Sequence, residues 1–178
     1  DIKGLKIGII KESLQEGIES EVKAAFELTI NKLKDKGAIV EEVSLPLTFK
    51  YGISVYYLIA MCEASTNLAK LCGIRYGAEE KPEGNFNEYF SKVRSENFNE
   101  EAKRRIILGT FARMSGFRDA YFIKAAKIRT LIINEYKELF KNYDVLVSPT
   151  MPNVAPKIED VKKLTPLQNY MMYVLVCG

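Results

Sequence analysis

The chain has 178 residues, 47% hydrophobic and 28% charged, the size and composition of one globular domain with a real core. A net charge of +3 is too small to argue for nucleic acid or an anionic membrane, and no run of about 18 apolar residues marks a membrane span. Histidine is absent, so no Ser-His-Asp or Cys-His triad can be built, and three cysteines without a Cys-x-x-Cys pair (Cys62, Cys72, Cys177) suit a reducing compartment rather than a disulfide framework.

The first apolar run, Leu5-Lys-Ile-Gly-Ile-Ile, is bounded by Gly4 and Lys11-Glu12 and predicts a strand. Gly8 within it marks either a close backbone approach or a tolerated weak point. Ser20 stands as N-cap of a helix over 21–36, where Val22, Phe26, Ile30 and Leu33 recur at helical spacing, and Gly37 sits where a C-terminal cap belongs. Residues 38–45 predict a second strand, ended by Pro46. Strand, helix and strand within about 40 residues form a βαβ unit, so the fold class is α/β with parallel strands. The turn after the first strand lacks a Gly-x-Gly-x-x-Gly or Walker pattern and offers no nucleotide cradle.

Residues 52–72 are apolar nearly all round, which predicts a buried helix. Tyr56 and Tyr57 within it face different directions; each reads first as a core tyrosine with a local hydrogen-bond partner. Residues 74–98 are the most polar stretch, and Glu79 to Asn85 within it predict a surface loop. Lys103-Arg104-Arg105 then opens a helical stretch. A guanidinium is permanently charged and presents a planar fork that fits a carboxylate, so an arginine here is a candidate for holding a small acidic substrate. The competing reading is a solvated helix face. A 3.6-period stripe from Phe117 to Phe140 predicts a long core helix over 117–141, with Lys124, Lys127 and Arg129 on its outer side. Val145-Leu-Val predicts a strand running into Ser148-Pro-Thr-Met-Pro, a loop placed to line a pocket beyond a strand's carboxyl end. A polar linker, 157–163, leads to a last helical run over 166–176. Asp1 at one end and Cys177-Gly178 at the other both read as cut, which makes 1–178 a single region of a longer domain.

In this order, Asp1-Ile-Lys-Gly-Leu-Lys-Ile-Gly, Tyr56-Tyr57, Glu63-Ala-Ser-Thr-Asn-Leu-Ala and Gly73-Ile-Arg-Tyr-Gly are followed by Lys103-Arg-Arg-Ile-Ile-Leu-Gly-Thr and Tyr143-Asp-Val-Leu-Val-Ser-Pro-Thr-Met-Pro. Over essentially its whole length the chain resembles the C-terminal part of the amidase-signature family. The Lys-Arg-Arg and Arg-Tyr-Gly pieces resemble the branch formed by the A subunits of tRNA-dependent amidotransferases. The resemblance implies part of an α/β/α fold, a mixed sheet flanked by helices. It implies that the complete protein hydrolyses glutamine at a serine served by a second serine and a lysine. That apparatus needs no histidine but lies in a Gly/Ser-rich signature that this chain lacks, so no catalytic residue and no metal ligand is assigned here.

By the same resemblance Arg105 holds the α-carboxylate of glutamine and Tyr56 lines its pocket. The implied partners are the B and C subunits and Glu-tRNA(Gln), with ATP and Mg²⁺ used on the B subunit, in cytoplasm or an organellar matrix. One position departs: where the family binds the substrate's amino group with an aspartate, counting from Pro166-Leu167 reaches Tyr173. That keeps open a generic amide hydrolase of the same superfamily. A non-catalytic domain binding a partner or RNA is a further alternative.

Overall fold

The computed structural model describes residues 1–15, 17–165, 172 and 175. The helix expected over 166–176 lies outside the described residues but for two positions, and Tyr173 lies outside them. Contacts divide the chain into two compact units, Asp1–Ser54 with Ile128–Gly178, and Val55–Lys127.

In the first unit β1 (Lys6–Ile10), α1 (Ser20–Asp35) and β2 (Ile39–Val43) make the expected βαβ unit, and β3 (Val145–Val147) pairs with the other side of β1. The order is β2-β1-β3 and both pairings are parallel, with Ile7 opposite Val40 on one side and Val145 on the other. Between them Gly8 is a point of close approach. A β-carbon there would stand 2.8 Å from Leu146 Cδ2 and 3.0 Å from Val43 Cγ1. The two neighbouring strands thus fill the space a side chain would need.

Helix α1 closes as its sequence predicts. Gly37, at φ +88°, lets its amide reach Lys34 O (2.8 Å) while the Ala38 amide reaches Leu33 O (3.1 Å). This is the paired bonding of a glycine-terminated helix. The start differs by one residue: Ser20 is already helical, and Glu19 is the cap residue, with no side-chain cap bond. Glu19 is tied instead to the loop after β3, its amide donating to Pro152 O (2.9 Å) and its carboxylate accepting from the Val154 amide (3.2 Å).

Pro46 does more than end a strand. It is the first residue of α2 (Pro46–Asn67), a 22-residue helix that begins earlier than the 52–72 expected and leaves 68–72 outside. Proline suits the first helical position because its missing N–H has no intrahelical partner there. The remaining donors are met by two distant carboxylates. A 3₁₀ turn, Lys11–Leu14, follows β1, and its Glu12 accepts from the Ser44 hydroxyl and from the Leu45 amide (3.1 Å). Glu135, on α5 (Lys124–Leu139), accepts from the Leu47 amide (2.9 Å), the Thr48 amide (3.0 Å) and the Thr48 hydroxyl (2.9 Å). Beneath these bonds Ile10, Val43 and fully buried Leu45 form a core against Phe49, Tyr136, Leu139 and Leu146.

The second unit holds the rest of α2, a 3₁₀ turn Leu68–Lys70, α3 (Phe86–Asn97) and α4 (Glu100–Arg113). The loop expected over 79–85 carries neither helix nor strand, and α3 follows it within a polar stretch where no helix was expected. Asn85 accepts from the amides of Asn87 and Glu88 while Glu88 accepts from the Asn85 amide, a reciprocal cap. The helix buries only Tyr89 and Val93, too narrow a stripe to stand out in a polar stretch. The helix expected over 117–141 is also interrupted. Its first turn, Asp119–Ile123, is a π turn in which the Ile123 amide reaches Arg118 O (3.0 Å), and α5 ends at Leu139. The expected linker 157–163 contains one helical turn, α6 (Ile158–Val161). No helix among the described residues is long and apolar enough to cross a membrane.

Replacing Glu135 with alanine removes three bonds at the start of α2 and is expected to cost about 2 kcal/mol of unfolding free energy, read as a lower denaturant midpoint at unchanged slope. Glu12 adds a pH dependence. Burial raises its carboxyl, but bonds from the Ser44 hydroxyl and Leu45 amide outweigh burial and hold it below the ordinary range. A carboxyl depressed on folding stabilises above its unfolded pKa, and that stability is lost as pH falls through the folded value. Below about pH 4.3 the acid limb of the stability curve is therefore expected to be shallower in Glu12→Gln than in the parent. Superimposable limbs would exclude this role.

Candidate substrate-binding site

Helix α4 opens with Asn99, whose side chain accepts from the Ala102 amide (2.8 Å), and with Glu100 and Glu101 in the first turn, where negative charge suits the helix dipole. The basic cluster follows one turn later, so each cation meets a carboxylate three or four residues back. Lys103 lies 3.7 Å from Glu100, Arg104 Nη1 3.0 Å from one Glu101 oxygen, and Arg105 Nε 2.8 Å from the other. These pairs are partly exposed and each stabilises by less than about 1 kcal/mol. Their effect is geometric: one carboxylate bonded at Nε restrains the plane in which the Arg105 guanidinium lies.

Arg105 differs from its two neighbours in a further contact. Its Cζ lies 6.0 Å from the centroid of the Tyr57 ring, within the range of a cation–π interaction. Tyr57 in turn meets Tyr56 edge-on, with centroids 5.0 Å apart and planes at 73°. The structure thus brings Arg105 onto the tyrosine pair through Tyr57, while Tyr56 stands outermost, 44% exposed. The side chains of Lys103 and Arg105 are equally exposed, at 35% each, and what sets Arg105 apart is its place against the Tyr57 ring.

Beside this group lies a groove of about 210 Å³ lined by Tyr57, Met61, Leu108, Phe111 and Tyr121. Its outer wall is an aromatic cluster, with Phe111 4.4 Å from Phe117 and 5.7 Å from Tyr121 between centroids. A fixed cation beside an apolar groove can hold a small molecule with a carboxylate at one end and a short carbon chain behind it. The nearby nucleophile types are committed to structure. Burial pushes the Cys62 thiol up, and the Ser65 hydroxyl donates to the Cys62 carbonyl (2.8 Å). Among the described residues no group of three acidic or cysteine side chains is placed to hold a metal.

The first unit has its own groove, about 640 Å³, between α1 and the loop after β3. Val22, Phe26 and Ile30 face Ser148, Pro149 and Met151 there. The proline loop lines a pocket beyond a strand's carboxyl end, where its sequence placed it. Its walls are largely apolar and no cation stands among them.

Residues 1–177 match the amidase family model. The chain belongs to the amidase family. It is 49% identical over 175 residues to the A subunit of the glutamyl-tRNA(Gln) amidotransferase of Latilactobacillus sakei, covering 98% of this chain and 36% of that protein. To the protein of the same name from Staphylococcus aureus it is 52% identical over 155 residues, 87% of this chain and 32% of that one. The crystal structure of the corresponding A subunit from Thermotoga maritima superposes with a TM-score of 0.68 at 33% identity, over 99% of this chain and 33% of the other. A second solved amidase, 22% identical with a TM-score of 0.62, shares the fold. This amidase chain thus spans about a third of the length of the curated relatives it matches.

Two residues of the site escaped the sequence reading. Glu101 had a legible signal, an acid four residues ahead of Arg105. Tyr57 had none that separated it from Tyr56, since which of two adjacent tyrosines meets α4 depends on how the helices pack. Glu101→Gln is expected to change unfolding free energy by under about 0.5 kcal/mol while the Arg105 Nε–H resonance moves and exchanges faster. An unmoved resonance would show that Glu101 does not orient the guanidinium.

Proposed function

We propose that this chain is the C-terminal part of an amidase domain in the glutaminase subunit of a tRNA-dependent amidotransferase. In that reading it supplies the pocket for the amide donor, while the serine nucleophile and its lysine come from the Gly/Ser-rich signature, a sequence this chain does not contain. The observation that carries the proposal is Arg105 restrained at Nε by Glu101 and laid against the tyrosine pair, a placement its two basic neighbours do not share. Similarity to proteins named as the A subunits of glutamyl-tRNA(Gln) amidotransferases supports it.

Arg105 takes the α-carboxylate of glutamine through its planar fork, and Tyr56 and Tyr57 wall the site. The neighbouring groove is apolar and keeps water from the donor's carbon chain. Fixing the carboxylate end presents the side-chain amide to the serine at high effective concentration, so the binding contact contributes to the hydrolytic rate. The released ammonia passes to a B subunit that activates Glu-tRNA(Gln) with ATP and Mg²⁺, and a C subunit joins the assembly, in the cytoplasm or an organellar matrix. The position matched to the amino-group contact is Tyr173, so preference for glutamine rests here on Arg105.

In the full-length enzyme Arg105→Ala is expected to lower kcat/KM for glutamine by roughly 30- to 150-fold, the equivalent of about 2 to 3 kcal/mol for charge-assisted bonds. Arg105→Lys keeps the charge but loses the fork and should recover only part of that. Glutamine kinetics unchanged in Arg105→Ala would overturn the assignment.

A further inference from the structure

Three contacts join α2 to α4, and they recur with the same spacing on both helices. Tyr57 meets Arg105, Met61 meets Gly109, and Ser65 meets Arg113, each four residues after the last. Residues at i, i+4 and i+8 form one of the ridges along which helices pack. The first rung belongs to the site described above. The other two follow it along the helices, away from the tyrosine pair.

The middle rung fixes how near the helices come. Gly109 is buried, and a β-carbon on it would overlap the Met61 carbonyl and stand 2.9 Å from the Cys62 nitrogen. Those atoms are backbone and cannot swing aside, so the approach exists only because residue 109 has no side chain. The last rung fixes sliding along the ridge. Arg113 Nη2 donates to Ser65 Oγ (2.9 Å), and Arg113 Nε donates to the Gly109 carbonyl (3.4 Å). Ser65 is 5% exposed and spends its own proton on the Cys62 carbonyl, so its oxygen is turned to accept from arginine. With separation and register both set, Arg105 is carried to a defined place over the Tyr57 ring.

We propose that Gly109 and the Ser65–Arg113 hydrogen bond are positioning elements for Arg105, holding its guanidinium where the donor's carboxylate is received. They touch no substrate and act through the spacing and register of α2 and α4. This rests on the reading of Arg105 as the carboxylate contact.

The test compares two amide donors in the full-length enzyme: glutamine, and glutamine α-amide, in which a neutral amide replaces the carboxylate. A displaced Arg105 harms only the first. Gly109→Ala is expected to lower kcat/KM for glutamine by about tenfold or more, since misplacement on the ångström scale costs that much. Activity on the α-amide should change by less than about twofold. Ser65→Ala should follow in the same direction, and Arg113→Lys, which keeps a donor, should retain more glutamine activity than Arg113→Met. If Gly109→Ala fails to fold, the Ser65 and Arg113 variants decide the matter. Equal losses on both donors would reduce the ladder to ordinary packing and overturn the proposal. Arg105→Ala separates the two layers of inference. If it leaves the ratio of the two donors unchanged, the pocket reading itself fails. If it abolishes glutamine's advantage while the ladder variants preserve it, the positioning role alone fails.

Discussion

The start of α2 is a helix end with exposed backbone donors and no side chain of its own to meet them. Two glutamates from distant points in the chain take that part, Glu12 from just after β1 and Glu135 from α5. An unpaired buried amide costs free energy comparable to a lost hydrogen bond, so each carboxylate stabilises the start of the helix at Pro46. This constraint ties three separate stretches of the first unit to one point, beside the core around Leu45. Since the anionic ends sit at the positive end of the helix dipole, the same bonds also satisfy the charges of the two acids.

Farther along α2 the controlling term changes from charge to volume. Tyr57 faces α4 with its ring, Met61 with its backbone carbonyl and Ser65 with its hydroxyl, and α4 answers with Arg105, Gly109 and Arg113. A glycine between two arginines lets backbone touch backbone at the centre while the long side chains reach across at either side. The close approach of the two helices thus depends on a residue with no functional group at all. The acid–base content of the site is correspondingly spare. Its one thiol is buried and pushed up, and its hydroxyl is bonded to a carbonyl.

Much of the first unit was legible because its signals are local. The run around Gly8, the stripe from Val22 to Leu33 and Gly37 at its end specify β1, α1 and the turn to β2, all within a few residues of where they act. Pro46 misled, since proline ends a strand and begins a helix with equal ease, and only the distant carboxylates decide between them. Helix α3 went unseen for another reason. Its two buried residues make a weak stripe, although Asn85 and Glu88 spell its cap. The π turn before α5 has no sequence signature, being a one-residue widening in an otherwise helical pattern. In the site, the basic cluster pointed to Arg105 only through resemblance. Its spacing from Glu101 was readable, whereas its placement on Tyr57 is a tertiary fact.

The two outer strands of the described sheet are protected unequally. β2 carries the charged pair Glu41 and Glu42, one on each face of the sheet, and charges on an edge strand discourage a further strand from joining. β3 has one described neighbour, β1, and its sequence is Val-Leu-Val with no charge at all. Pro149 limits the exposed ladder to a few residues but does nothing to repel a newcomer. An unguarded apolar edge is tolerable where another strand completes it and hazardous where none does. Separated from whatever lies against β3, the chain would carry a short template for strand addition. Its solubility would then be governed by that edge rather than by its net charge.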